Sequence, residues 1–134
     1  MLTACAGPFT AGVPGDPKKP ARTLQVKMPE GDGTMTFDPA RIEVRRGKQI
    51  RFVITNVGVL PHEFVLASAE ANLMHAKLMQ QYPDMEHDDP NAKTVQPQGT
   101  AEILWRFTKK GVFEFACLIP GHREAGMLGK VIVK

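Results

Sequence analysis

Three observations predict an all-β domain, built as a sandwich or a barrel. From Thr23 onward, short runs of β-type residues alternate with turn signals at the spacing typical of such folds. In residues 49–56, Ile50, Phe52 and Ile54 share one face and the residues between them point to the other, as a half-buried strand requires. Seven of the nine aromatic residues are Phe, which favours sheet structure.

The predicted elements run along the chain as strands, one helix and further strands. The strands before the helix are 24–28, 34–37, 42–45, 49–56 and 63–67. Residues 68–82 are predicted as an inserted helix, because they are good helix formers that begin with a capping Ser68 and precede Pro83. A polar loop through residues 86–90 then leads to the last strands, 101–108, 112–117 and 128–134.

The N-terminal segment is predicted to be a flexible tether. Residues 1–21 contain four Pro and three Gly without apolar periodicity, so we divide the chain into a leader, 1–22, and one domain, 23–134. The residues up to Cys5 resemble the end of a bacterial lipoprotein signal, although the apolar segment that should precede them is missing. Cys5 is therefore either a lipid attachment site or an accidental match, and we do not expect it to pair with Cys117.

Composition excludes several classes of protein. A chain of 134 residues and 14.7 kDa predicts one domain, and we expect a monomer. With 43% hydrophobic residues, 23% charged residues and a mean hydropathy of −0.20, neither a disordered chain nor a membrane protein fits. The formal net charge is +3, and no basic motif accompanies it, so we expect no nucleic-acid partner.

The chemistry is concentrated near the C-terminus and at one upstream histidine. Cys117 ends a predicted strand, and His122 and Met127 follow in the pattern Cys-x4-His-x4-Met. His62 stands at the start of another strand. Two imidazoles, one thiolate and a weak thioether are the ligands that select copper in an electron-transfer site, whereas zinc seldom takes Met as its fourth ligand. Each residue alone is more often a packing or surface residue, but the joint pattern favours a metal site.

These residues resemble those of the cupredoxins, the small blue-copper proteins, over about residues 23–134. Besides the C-terminal loop, the likeness rests on Phe37-Asp38-Pro39, Ile42-Glu43-Val44, Gly47, Phe52, Asn56 and Pro61-His62-Glu63-Phe64. The resemblance implies a Greek-key β-sandwich of about seven or eight strands with one short inserted helix. It also implies one type 1 copper ion, cycling between Cu(I) and Cu(II), with His62, Cys117, His122 and Met127 as its ligands and no enzymatic activity.

Two departures from the electron-carrier members bear on function. Glu63 stands where a small polar residue is common, and the segment from Met74 to His87 is rich in Met and His. This segment is most similar to that of bacterial periplasmic cupredoxins associated with copper tolerance. We therefore expect a periplasmic protein, with or without a lipid anchor, that acts in copper tolerance by one-electron chemistry. The alternative is a dedicated electron carrier similar to rusticyanin or auracyanin.

The same segment raises the question of a second copper site. His75 and Met79 lie four residues apart on one helical face and can hold Cu(I). Further donors on the following loop are Met85, His87, Asp88 and Asp89. The sequence favours a simpler interpretation, in which His75 lies in solvent and the acidic loop is a polar connection. The residues expected to face the core are then Met74, Leu78 and Tyr82.

The resemblance further implies a docking surface for a redox protein around His122. An apolar patch with a charged rim suits weak and fast contact with such a partner. The expected patch consists of Leu60, Pro61, Leu118, Ile119, Pro120 and Leu128, and its rim of Arg123, Glu124 and Lys130.

Overall fold

The computed structural model describes residues 9–134, so Cys5 and the lipid-anchor prediction lie outside the described residues. The strands are β1 Val13–Pro14, β2 Arg22–Met28, β3 Glu30–Gly31, β4 Thr34–Met35, β5 Arg41–Val44, β6 Gln49–Asn56, β7 His62–Ala67, β8 Asp88–Asp89, β9 Ala92–Val95, β10 Thr100–Arg106, β11 Gly111–Ala116 and β12 Leu128–Val133. One helix, α1, spans Ala69–Gln81. Eight of these strands have four residues or more, in agreement with the prediction. Within residues 9–134, no helix is both long and apolar enough to cross a bilayer.

The strands form two main sheets that face each other as a sandwich. The four-stranded sheet has the order β1-β10-β6-β2, and the six-stranded sheet has the order β5-β12-β11-β7-β9-β8. β2 pairs with β6 and β5 with β12 in parallel, whereas the other pairs are antiparallel. β3 and β4 form a separate two-stranded ribbon. The predicted all-β sandwich is confirmed.

Aromatic side chains fill the space between the sheets. Phe64 and Phe115 stack with their ring centres 4.9 Å apart, and Phe37 meets Phe115 edge-on at 5.1 Å. Phe52, from the opposite sheet, lies 5.6 Å from Phe64. The close packing leaves no space for a side chain at position 129, because a Cβ atom there would run into the Phe115 ring.

The described part of the predicted tether, residues 9–21, differs from the expectation. Ala11 is buried, and its carbonyl oxygen accepts a hydrogen bond of 3.2 Å from Trp105 Nε1. β1 then pairs with the edge of β10. A two-residue strand leaves no periodic pattern in a segment rich in Pro and Gly, so the pairing could not be read from the sequence.

The helix is the predicted one, but it presents a different face to the sheet. Ser68 Oγ accepts a hydrogen bond of 3.2 Å from Ala71 N, which caps the first turn as expected. The buried helical residues are Asn72 and Met79, whereas Met74 and Tyr82 are about half exposed. The expectation that Met74 and Tyr82 face the core is therefore wrong.

Packing explains the orientation of the helix. Met79 lies in an apolar cluster with Val65, Ala116 and Leu118, and Asn72 Nδ2 donates a hydrogen bond of 3.4 Å to Val65 O. The helix thus rests on β7 and β11 through the face that carries residues 72 and 79. The same orientation turns His75 toward the loop that follows the helix. This loop contains the short strands β8 and β9, which were not predicted.

Candidate metal centre

The antiparallel pairing of β7 and β11 explains how two distant segments meet. His62 is the first residue of β7, and Cys117 directly follows the last residue of β11. The start of one strand and the end of its antiparallel neighbour lie at the same edge of the sheet, so the two side chains meet there. The loop from Cys117 to β12 folds back on itself, since Cys117 N donates to Met127 O and Met127 N donates to His122 O, both at 3.2 Å.

Three potential ligand atoms converge at this edge. His62 Nδ1 lies 3.1 Å from His122 Nδ1, and Cys117 Sγ lies 3.4 Å from the same His122 atom. The ligand atoms of the three residues all lie within 4.8 Å of one another. Met127 is fully buried in the core cluster that also contains Cys117. The structure thus brings His62, Cys117 and His122 together as predicted, with Met127 in the packing beside the cysteine.

Each of the two buried residues is held by a further hydrogen bond. Cys117 Sγ accepts from Glu63 N at 3.2 Å, and His62 Nε2 lies 2.8 Å from Glu30 Oε2. With its Nε2 proton donated to Glu30, His62 directs the Nδ1 lone pair at the cluster. Glu30 is itself fixed, because its carboxylate accepts from Val59 N and Leu60 N at 3.1 Å. Glu30 was not among the predicted site residues, because it precedes His62 by 32 residues and no short motif links the two.

Burial sets the protonation of Cys117 and His122 in the metal-free protein. Burial raises the pKa of the Cys117 thiol to about 12, and burial followed by the nearby His62 lowers the pKa of His122. His122 is therefore neutral at pH 7 and has a lone pair available, while a metal that binds Cys117 must displace the thiol proton into solvent. Two imidazole nitrogens 3.1 Å apart beside a buried sulfur form the mixed soft and nitrogen donor set that suits copper.

We expect Glu30→Ala to weaken copper binding by roughly 10- to 100-fold, the usual effect of removing a carboxylate that orients a ligating histidine. The His62 ring would lose the acceptor that fixes its rotation and tautomer. Competition with a copper chelator of known affinity measures the change. Glu102→Ala is the control, because Glu102 pairs with Arg51 on an exposed strand face and is expected to leave the affinity unchanged. Equal affinity in wild type and Glu30→Ala would contradict this role.

A second cluster lies next to the first and consists of Glu63, His75 and His87. Their ligand atoms lie within 4.8 Å of one another. His75 is thus not a solvated side chain, and the interpretation of this segment as a simple polar connection is wrong for the two histidines. Met79 belongs to the apolar cluster under the helix, and Met85 packs against it. The sequence raised His75 and His87 as donors of a second site but not Glu63, because the meeting of the three depends on how the helix is rotated.

Burial sets the protonation of this cluster in the metal-free protein. It raises the pKa of Glu63 to about 7, partly opposed by a hydrogen bond from Leu118 N. Burial, with His87 nearby, lowers the pKa of His75 to about 4, so that His75 is neutral at pH 7.

Glu63→Gln is expected to stabilise the metal-free chain more at pH 8 than at pH 5. The folded-state pKa of Glu63 lies above the ordinary value of 4.5, so wild type loses stability as pH rises from about 4.5 through about 7. Gln has no charge to bury and keeps the oxygen that accepts from Leu118 N. The advantage of the variant should grow by up to about 3 kcal/mol between the two pH values. Urea unfolding measures it, and a difference independent of pH would contradict the prediction.

The surface around His122 differs in part from the expected docking patch. His122 and Ile119 are half-buried, and Leu60 and Pro120 are exposed, but Leu118 is buried beneath the helix. Val59, which is not part of the predicted patch, is 78% exposed and is the most exposed large apolar side chain in the described residues. The apolar surface near the centre therefore includes side chains from the loop before β7.

Comparisons with known proteins agree with this geometry. A family model described as copper binding proteins, plastocyanin/azurin family, matches residues 24–134. A copper-resistant cuproprotein CopI from Rubrivivax gelatinosus is 54% identical over 123 residues, which cover 92% of this chain and 73% of that protein. The copper-resistant cuproprotein CopI from Pseudomonas aeruginosa is 35% identical over 152 residues, covering 92% and 82%.

A solved structure shows the same fold. Dithionite-reduced auracyanin from the photosynthetic bacterium Roseiflexus castenholzii superposes with a TM-score of 0.71 at 19% identity, covering 85% of this chain and 98% of that one.

Proposed function

The chain belongs to the plastocyanin/azurin family of copper-binding proteins, and from that premise we propose that it acts in copper tolerance through one-electron chemistry at a single type 1 copper centre. The observation that carries the proposal is the convergence of His62, Cys117 and His122 at one edge of the sheet. The relatives named as copper-resistant cuproproteins support the tolerance part of the proposal.

In this proposal the side chains have separate roles. Cys117 would lose its proton to solvent and bind as the thiolate, His62 and His122 would supply their Nδ1 atoms, and Met127 would add a weak thioether donor. Copper bound by these four side chains would gain and lose one electron, between Cu(II) and Cu(I). The hydrogen bond from Glu63 N stabilises negative charge on the sulfur, and Glu30 keeps the His62 ring in position.

His122 is the proposed point where electrons enter and leave. It is the half-buried member of the three, and exposed apolar side chains, among them Val59 and Leu60, lie on the loop that leads to β7. A redox partner with a complementary apolar surface could make a weak, transient contact with the surface around His122. This surface also supports the second candidate function, a dedicated electron carrier. Both functions are non-enzymatic.

We place the protein in the periplasm. A thiolate that holds oxidisable copper suits an oxidising compartment better than a reducing cytosol. A lipid on Cys5 would keep the domain near the membrane, since the sequence before this residue has the small side chains of a lipoprotein signal. Cell fractionation with labelling by a radioactive fatty acid tests both parts, with Cys5→Ser as the unlabelled control.

Growth in copper separates the two functions. In a bacterium made copper-sensitive by deletion of its own tolerance protein, the wild-type chain is expected to restore growth, and Cys117→Ser is not. Reduction by a c-type cytochrome, followed by stopped-flow absorption, is the matched measurement. Rapid electron exchange with no restored growth would favour the carrier. If neither electron exchange nor restored growth were observed, both functions would be rejected.

A further inference from the structure

The cluster beside the first centre has the geometry of a site for a cation. Glu63 comes from β7, His75 from α1 and His87 from the loop before β8. His75 Nε2 lies 2.9 Å from His87 Nε2, and Glu63 Oε2 lies 3.3 Å from the same His87 nitrogen. With His62 and His122, these two residues account for all four histidines of the chain, so that every histidine belongs to one of two clusters.

Hydrogen bonds cannot satisfy these three groups together. A single proton on His87 Nε2 can be donated to His75 Nε2 or to Glu63 Oε2, and the other acceptor is then left without a donor. Among the described residues, Glu63 Oε2 is indeed buried without a hydrogen-bond partner, and the Glu63 side chain is 1% exposed. A carboxylate oxygen buried in this way is costly unless a proton or a cation neutralises it, and the raised pKa of Glu63 is the metal-free expression of that cost.

Contacts behind two of the three groups, His87 and Glu63, hold them in this arrangement. His87 Nδ1 lies 3.4 Å from Asp89 Oδ2, and His87 N donates to Thr94 Oγ1 at 2.8 Å. The second carboxylate oxygen of Glu63 accepts from Leu118 N at 3.3 Å. A carboxylate behind a histidine is the usual support of a metal ligand, because it fixes the tautomer and the orientation of the ring.

We infer that Glu63, His75 and His87 form a second metal site, separate from the His62–Cys117–His122 centre, which binds a divalent ion of the Cu²⁺ type. Two imidazoles and one carboxylate contain no sulfur, so the set favours Cu²⁺ over Cu(I). Among divalent first-row metals, Cu²⁺ binds such nitrogen and oxygen donors most tightly. Met79, which the sequence offered as a soft donor, is fully buried in the apolar cluster beneath the helix.

Glu63 connects the two sites. Its side chain belongs to the second site, and its backbone N–H donates to Cys117 Sγ in the first. The residue whose carboxylate would bind the second ion is therefore also the residue that donates a hydrogen bond to the proposed thiolate.

The test is titration of the purified full chain with Cu²⁺, removal of free metal, and measurement of copper per chain together with the EPR spectrum. Wild type is expected to keep two ions, the second with hyperfine coupling to two imidazole nitrogens and without the visible thiolate band. His75→Gln and His87→Gln should each lower the Cu²⁺ affinity of the second site by more than roughly 10- to 100-fold, the usual cost of losing a residue that only orients a ligand. Both variants should keep the visible thiolate band of the first centre. Asp88→Asn, an exposed neighbour paired with Lys93, is the control and should keep both ions.

Two results would overturn the inference. One is a wild-type chain that keeps a single ion in excess Cu²⁺, and the other is a second signal that survives in the His75→Gln/His87→Gln double variant. The Cys117→Ser/His122→Ala double variant separates this inference from the proposed function. It removes the thiolate and one imidazole of the first centre, and it is expected to leave the two-imidazole signal of the second. Absence of the thiolate band in wild type would reject the first centre alone.

Discussion

Cys117→Ser is expected to abolish the intense visible absorption of the copper-loaded protein. The absorption of a type 1 centre comes from charge transfer between thiolate sulfur and copper, and the serine hydroxyl offers neither the soft sulfur nor an easily ionised group. Copper affinity should fall by more than the roughly 10- to 100-fold that loss of an outer partner costs, since a direct ligand is removed. The absorption spectrum and chelator competition measure the two effects.

The chain provides a matched control for this variant in its other cysteine. Cys5→Ser removes a thiol from the N-terminal segment, well before the domain that carries His62, His122 and Met127. It is expected to leave both the band and the affinity unchanged. A visible band that persists in Cys117→Ser, or disappears in Cys5→Ser, would show that the proposed ligand set is wrong.

The features that could be predicted from the sequence are those that depend on residues close together along the chain. Strand alternation at 49–56 and the capping residue Ser68 each act within a few positions, and both elements form as expected. The spacing from Cys117 through His122 to Met127 likewise belongs to one loop. The ligand role of His62 came from the resemblance to the cupredoxins, and the structure supplies its physical basis: the antiparallel pairing of β7 with β11 brings the start of β7 to the end of β11.

The parts that the sequence did not predict depend on contacts between distant elements. Glu30 reaches His62 across 32 residues, and no short motif marks the two as partners. The second cluster forms because Met79 and not Met74 packs on the sheet, which is decided by the space beneath the helix and not by helix propensity. The sequence of the helix has apolar residues on both the Met74 face and the Met79 face, so its pattern alone did not decide which face packs on the sheet.

Phe115→Ala is expected to destabilise the metal-free protein by about 3–5 kcal/mol, the usual cost of removing a buried Phe side chain. The ring is fully buried and stacks on Phe64 at 4.9 Å. Phe115 precedes Cys117 by two residues and Phe64 follows His62 by two, so the stack ties together the two strands that carry proposed ligands. The cavity should therefore also shift or weaken the visible band of the copper-loaded protein.

Phe107→Ala distinguishes the effect on the centre from the effect on stability. Phe107 is also fully buried, but it packs near Phe113, whose ring centre is 6.1 Å away and which lies farther along β11 from Cys117. We expect a similar loss in urea unfolding and an unchanged visible band, because the cavity then lies away from the strand ends that hold the ligands. If both variants altered the band equally, general loosening of the domain would explain it, and the aromatic stack would have no specific part in holding the centre. A loss below about 1 kcal/mol for Phe115→Ala would contradict its place in the core.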